Sequence, residues 1–229
     1  MTALFHAYIY EPILSVLVFL YSHLSLNDLG VSIVELTILI RFILLPIFYK
    51  STKDQTILQR LQPRIKKIQT DHKEDKERQA KELMALYREH RVNPFTGFFL
   101  LLIQLPVFIA LFQIFTTGIG GDVFQSKLFL GILDLGAKNW ALVVVAAVLQ
   151  FLQSKMMLAK QPAGGGNKGN DPAASMQKIM LFAGPLLTVV ILGNLPAAIG
   201  LYWLVSNMFS LVQQIYINKK IEADVPKGV

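Results

Sequence analysis

The chain has 229 residues, of which 53% are apolar and 16% charged, with a mean hydropathy of +0.48. Soluble domains carry roughly a quarter charged residues, so these values exclude an ordinary soluble domain and make a bilayer the expected surroundings. The lack of cysteine excludes disulfides, thiolate nucleophiles and cysteine-ligated metals, and four scattered histidines argue against a zinc or haem site.

Residues 1–28 contain an apolar run, Ile13 to Leu24, that ends before polar Asn27 and Asp28. Twelve residues are too few to span, and no Lys or Arg precedes them as in a secretory signal. Glu11, Pro12, Tyr21 and His23 at its ends suggest a helix lying in the outer interface, with a sixth span as the alternative. The first long apolar run, Leu29 to Phe48, is closed by Tyr49 and Lys50 and predicts span one over 29–50.

Residues 51–93 follow, charged but patterned. Leu58, Leu61, Ile65 and Ile68 recur near helical spacing, as do Ala80, Leu83 and Tyr87 beyond a charged stretch. This pattern predicts a hairpin of two amphipathic helices, with Pro63 kinking or restarting the first. A solvated charged linker is the alternative. Further spans are predicted at 95–116, 139–158, 177–193 and 197–217, the last two separated by a tight turn at Asn194 to Pro196. Residues 159–176, with Gly164, Gly165, Gly166 and Gly169, read as a flexible loop, and 218–229 as a short tail. The glycine run has no Gly-Lys-Ser/Thr ending, so it is not a phosphate loop. The expected fold is a single all-α polytopic membrane domain, with five spans, a helical hairpin and an N-terminal interfacial helix.

Of 22 Lys and Arg residues, 12 fall from Lys50 to Arg91, four from Lys155 to Lys178 and three after Asn218. The positive-inside bias makes these segments cytoplasmic, with the N-terminus outside and the C-terminus cytoplasmic. That bias accounts for nearly all of the formal +7 charge, so no specific nucleic-acid partner is expected.

Arg41 lies inside span one, about 13 Å from its cytoplasmic edge at 1.5 Å per residue. A central arginine costs roughly 2.5–3.5 kcal/mol to insert. The predicted spans hold one carboxylate, Glu35, six positions away and about 240° around the helix, a poor geometry for a pair. Arg41 is therefore expected to meet water, polar neighbours or an acidic ligand. Thr37 stands one turn above it, Gln104 is expected at its depth, Gln150 and Gln153 sit in the middle and inner parts of the third span, and Trp203, Asn207, Ser210 and Gln214 form a stripe. Polar groups crowd the midplane and inner half, which describes a wet cavity open to the cytoplasm and sealed outside. Interhelical hydrogen bonding is the plainer reading of Gln150 and Gln214. No Ser/His/Asp set, paired carboxylates or intramembrane HExxH helix occurs, so neither a catalytic site nor a cofactor is expected. A solute transporter would need inverted repeats or polar groups reaching the outer face, and neither is visible.

Several strings together resemble the YidC family of membrane protein insertases, which has mitochondrial and chloroplast relatives. They are Thr37 to Arg41 with Pro46 and Lys50, Leu61-Gln62-Pro63, Tyr87 to Gly97 with Asn93-Pro94, Gln104-Leu105-Pro106, and Gly200 to Trp203 with Ser206, Asn207 and Gln213-Gln214. The resemblance covers about residues 10–220. It implies an energy-independent insertase and chaperone in the bacterial plasma membrane, with a positively charged groove open to cytoplasm and lipid. Arg41 matches the family's groove arginine, Thr37 and Trp203 its substrate contacts, and Gln104 a groove-side glutamine; Gln153, Tyr202 and Asn207 complete the candidate groove. The implied partners are nascent membrane proteins and membrane lipid, with the ribosome and the main secretion channel as further candidates. The ribosome is the weaker of these because the tail after Asn218 lacks a long basic extension. Two departures stand out. Gly97-Phe98-Phe99-Leu100 replaces the family's Gly-Cys-x-Pro, and Glu35 occupies a usually apolar position.

Overall fold

A computed structural model of the chain describes residues 3–118, 124–158 and 172–224. Most of these are helical. Helix α1, Ala3–His23, takes a π turn at His6–Tyr10, where the Glu11 N–H reaches back to the His6 carbonyl. Pro12 follows in the next turn. Its ring and missing N–H conflict with an ordinary α turn, and the widened turn before it lets the helix run through. At 21 residues α1 is longer than the 12-residue apolar run read from the sequence, and by length and composition it is able to cross a bilayer, the alternative to an interfacial helix.

Leu26 and Asn27 adopt positive φ, the chain reverses, and Asp28 caps α2 (Leu29–Ile43) by accepting from the Val31 N–H at 2.9 Å. The apolar run expected as a straight span then bends by 67° at Leu44 into α3, Leu45–Arg60. Pro46 explains the break. It occupies the first turn of α3, where a missing N–H is tolerated, and it cannot continue the ladder of α2. The straight leg of 15 residues is about 22 Å long, shorter than the bilayer core. Residues 51–60, expected in the hairpin, extend α3.

The chain restarts at α4, Gln62–Asp71, with Pro63 in its first turn, and folds back through α5, Lys76–Glu89. Contacts of Arg64 with His90, Gln79 with the Gln69 carbonyl, and His72 with Glu82 set the two helices side by side. Between them lies a small core of Leu61, Ile65, Leu86 and Val92, joined by Leu58, Ile68, Leu83 and Tyr87. Ile57 joins it too, so the cluster adds Ile57, Leu86 and Val92 to the expected stripe and leaves out Ala80. The ion pairs around it are exposed and contribute little.

Helix α6, Thr96–Gln113, ends in a second π turn, Ile114–Gly118. A two-stranded antiparallel hairpin, β1 (Leu128–Phe129) with β2 (Leu133–Asp134), precedes α7, Trp140–Leu158. Helices α8, Pro172–Leu192, and α9, Ala197–Asp224, complete the chain. Of the expected loop 159–176, residues 159–171 lie outside those described, and 172–176 are helical. The expected tail is helical as far as Asp224. Among the described residues, Ala3–His23 and Thr96–Thr117 are long and apolar enough to cross a membrane, and the bent pair α2–α3 makes a third. The apolar parts of α7 and α8, Trp140–Met156 and Leu181–Leu192, are shorter. The fold is therefore an all-α membrane protein with two to three candidate spans.

Helix α9 is central, packing on α2, α7 and α3. One end of the bundle is closed by residues 124–139. Phe124 meets Tyr21 edge to face, the Tyr21 hydroxyl accepts from the Ser126 N–H, Asp28 accepts from the Leu130 N–H, and the Ala197 and Ala198 amides donate to Ala137 and Leu135. Leu17, Leu29, Ile33, Leu135 and Ile199 fill this end at 1% exposure or less. At Gly30 a side chain would overlap Phe129, so only glycine admits the β1 strand there.

Candidate functional site

The polar groups begin where the apolar cap ends. Arg41, in the last turn of α2, is only 7% exposed. Its guanidinium donates to the Ser210 hydroxyl of α9 at 3.0 Å and stands 4.5 Å from the centre of the Phe48 ring. The 67° bend produces this arrangement, because it returns Phe48 of α3 to the residue it would otherwise have passed by. Among the described residues no carboxylate lies within ion-pair distance of Arg41. Glu35 faces away, accepting from the Ser25 hydroxyl at 2.7 Å.

Magnitudes show how incomplete this solvation is. A guanidinium has five N–H donors, and one of them finds a hydrogen-bond acceptor among the described residues. A hydrogen bond to a charged group contributes about 1.5–3 kcal/mol and a desolvated cation–π contact about 2. Burying an ion costs several kcal/mol even after relaxation. The protein offsets only part of that cost, so the site favours an additional acceptor, above all an anionic one.

The Gln104 amide of α6 donates to the Tyr202 hydroxyl of α9, and Tyr202 is itself buried. Tyr202 and Ser210 are eight residues apart, about 12 Å along α9, so Gln104 and Arg41 contact α9 at different levels. Trp203 packs edge to face on Phe108 with ring centres 5.9 Å apart. Gln104 Oε1, Trp203 Nε1, Asn207 Nδ2 and Gln213 Nε2 are buried with no hydrogen-bond partner among the described residues. An unsatisfied buried polar group costs about 1–3 kcal/mol, and native interiors leave few of them. Three of them stand on α9 and one on α6, the two helices that the Gln104–Tyr202 hydrogen bond joins.

Two candidates stand apart from this cluster. Thr37 is buried, but its hydroxyl donates to the Ile33 carbonyl at 2.6 Å and is occupied within its own helix. Gln153 is half-buried on α7, and no hydrogen bond joins it to Arg41, Gln104 or α9 among the described residues. On the same helix Gln150 and Ser154 lie beside Gly184 of α8. Gln214 bonds to Thr56 of α3 at 3.3 Å and to Asn218 at 3.2 Å, joining two helices as the glue reading expects.

Sequence reasoning missed two groups here. Phe48 looked like one more apolar residue of a straight span. Asp54 looked like part of a solvated loop, yet it is 4% exposed and accepts from the Thr96 hydroxyl at 2.8 Å and the Asn93 N–H at 3.5 Å. It fixes the start of α6 to α3. Asn93 also accepts from the Phe95 N–H at 2.9 Å, so the Asn93-Pro94 step is a turn pinned by a buried carboxylate.

The sequence matches the 60Kd inner membrane protein family over residues 19–224. The membrane protein insertase YidC of Syntrophus aciditrophicus is 36% identical over 211 residues, 91% of this chain and 36% of that protein. YidC of Geobacter metallireducens is 31% identical over 215 residues, covering 93% and 37%. YidC of Fusobacterium nucleatum is 35% identical over 217 residues, covering 93% and 98%. The chain thus spans little more than a third of the first two relatives and nearly all of the third.

Proposed function

This chain belongs to the YidC family of inner membrane proteins, and from that premise we propose that it is a membrane protein insertase. Nascent membrane proteins are its substrates, and it moves their apolar segments and short polar tails from the cytoplasm into the bilayer without a catalytic step. The observation that carries this reading is Arg41, a nearly enclosed cation whose partners among the described residues are a neutral hydroxyl and an aromatic face, with no carboxylate.

The mechanism follows from what such a group lacks. An acidic residue in a substrate tail offers the guanidinium a charged, bidentate acceptor in place of the Ser210 hydroxyl, about twice as strong per bond. The polar atoms of Gln104, Trp203 and Asn207 solvate the rest of the tail, so that a shorter apolar distance remains to be crossed. The closed apolar end around Leu135 and Ile199 stops ions from following. The substrate's apolar segment then passes between helices into lipid, driven by its own burial at about 25 cal/mol per Å². Each acidic charge moved outward gains about 2.3 kcal/mol per 100 mV of membrane potential. The strongly basic segments around α3, α4 and α5 support a cytoplasmic position for that end of the bundle, with the paired helices α4 and α5 beside the path of an arriving chain.

The test is insertion of a single-span, acidic-tailed substrate into proteoliposomes. Wild type and Arg41→Lys should insert it, and Arg41→Ala should lose most of the activity. Equal insertion by all three would remove the charge from the mechanism.

A further inference from the structure

A crevice of about 260 Å³ opens on the outer surface of the bundle where the 67° bend turns α3 from the line of α2, beside α9. Leu45, Tyr49, Phe209, Val212, Gln213 and Tyr216 line it. Cations gather at its end. Lys220 Nζ lies 5.8 Å from the centre of the Tyr49 ring, and Lys219 and Lys50 beside it are exposed. Asp54, the only carboxylate of α3, is buried against Thr96, and the acids of α9, Glu222 and Asp224, come after Lys220 in its last turn.

We propose that this crevice holds one acyl chain of an anionic phospholipid, with the headgroup phosphate on Lys220. The lining is apolar apart from Gln213, with Leu45, Tyr49, Phe209, Val212 and Tyr216 around it, which suits hydrocarbon. An unbranched hydrocarbon chain is narrow enough. The Val212 and Tyr216 walls are 67% and 61% exposed, so the crevice is open to lipid along its side. A tyrosine and lysines at the basic end of an apolar surface belong at headgroup depth, and basic pockets between membrane helices select anionic lipids. Such a lipid would brace the elbow that sets Phe48 against Arg41. The inference needs only that the bundle lies in a bilayer, whether or not it inserts substrates.

The test is native mass spectrometry of the purified full chain, with phosphatidylglycerol and phosphatidylcholine of identical acyl chains supplied in equal amounts. Wild type should retain phosphatidylglycerol in preference. Lys220→Gln should lower that preference about fivefold, the contribution of one cation near a charged surface. Val212→Trp, which fills the crevice, should lose both lipids while leaving thermal unfolding unchanged. Equal retention of the two lipids by wild type, or an unaltered preference in Lys220→Gln, would overturn the proposal. So would a photo-crosslinker at position 212 that captures polypeptide and no phospholipid in vesicles containing phosphatidylglycerol.

Discussion

The guanidinium of Arg41 donates to the hydroxyl of Ser210 at 3.0 Å, across 169 positions of sequence. The bond joins α2 to α9, and it gives the buried cation an acceptor that a carboxylate can outcompete.

Ser210→Ala removes that acceptor. Unfolding of the purified protein should show a loss of about 1–2 kcal/mol, within the range for a hydrogen bond to a charged group, and Ser210→Thr should recover most of it. A double-mutant cycle with Arg41→Met should give a coupling of about 1 kcal/mol. Additive effects would mean that the bond does not hold the side chain.

Asp54 and Thr96 supply the second prediction. Asp54→Ala leaves the Asn93 amide without its acceptor and the Thr96 hydroxyl with only the Asn93 carbonyl, and should cost about 1–3 kcal/mol. Thr96→Val should cost less, and the pair should be clearly non-additive. Loosening here should also expose the segment beside Asn93, read as faster trypsin cleavage at Arg91. Unchanged cleavage would show that the contact does not anchor α6.

The separation of the two partners explains what could be read in advance. Helical periodicity placed Leu58, Ile65, Leu83 and Tyr87 on facing stripes, and Pro63 marked a restart, because both are local consequences of residue order. The scarcity of intramembrane carboxylates left Arg41 without a plausible partner by counting alone. Asp54 and Thr96 are 42 residues apart, and nothing local to Asp54 distinguishes it from a solvated acid. The bend at Leu44 was equally hidden. Pro46 sits where a helix can start or kink, and whether a span breaks there depends on the packing of α3 against α6 and α9. The length of α1 was missed for a related reason, since a π turn lets the helix pass Pro12.

The closed end yields the third prediction. Gly30→Ala should force Phe129 from its place and lower stability by about 1–3 kcal/mol through overpacking. Gly200→Ala, where an added carbon meets only the Leu142 side chain at ordinary contact distance, should be close to neutral. Equal effects would mean that the cap tolerates displacement of β1.

The central claim is a polar interior reached from the basic side and closed on the other. Because the chain has no cysteine, each introduced thiol is unique. The direct measurement is labelling of Asn207→Cys, Gln104→Cys and Ile33→Cys in sealed vesicles by a membrane-impermeant maleimide, added to one side at a time. Positions 207 and 104 should label from the side bearing residues 51–93 and not from the other, and position 33 from neither. Labelling of 207 and 104 from both sides would describe a channel and labelling from neither a dry bundle, and either result would contradict the account.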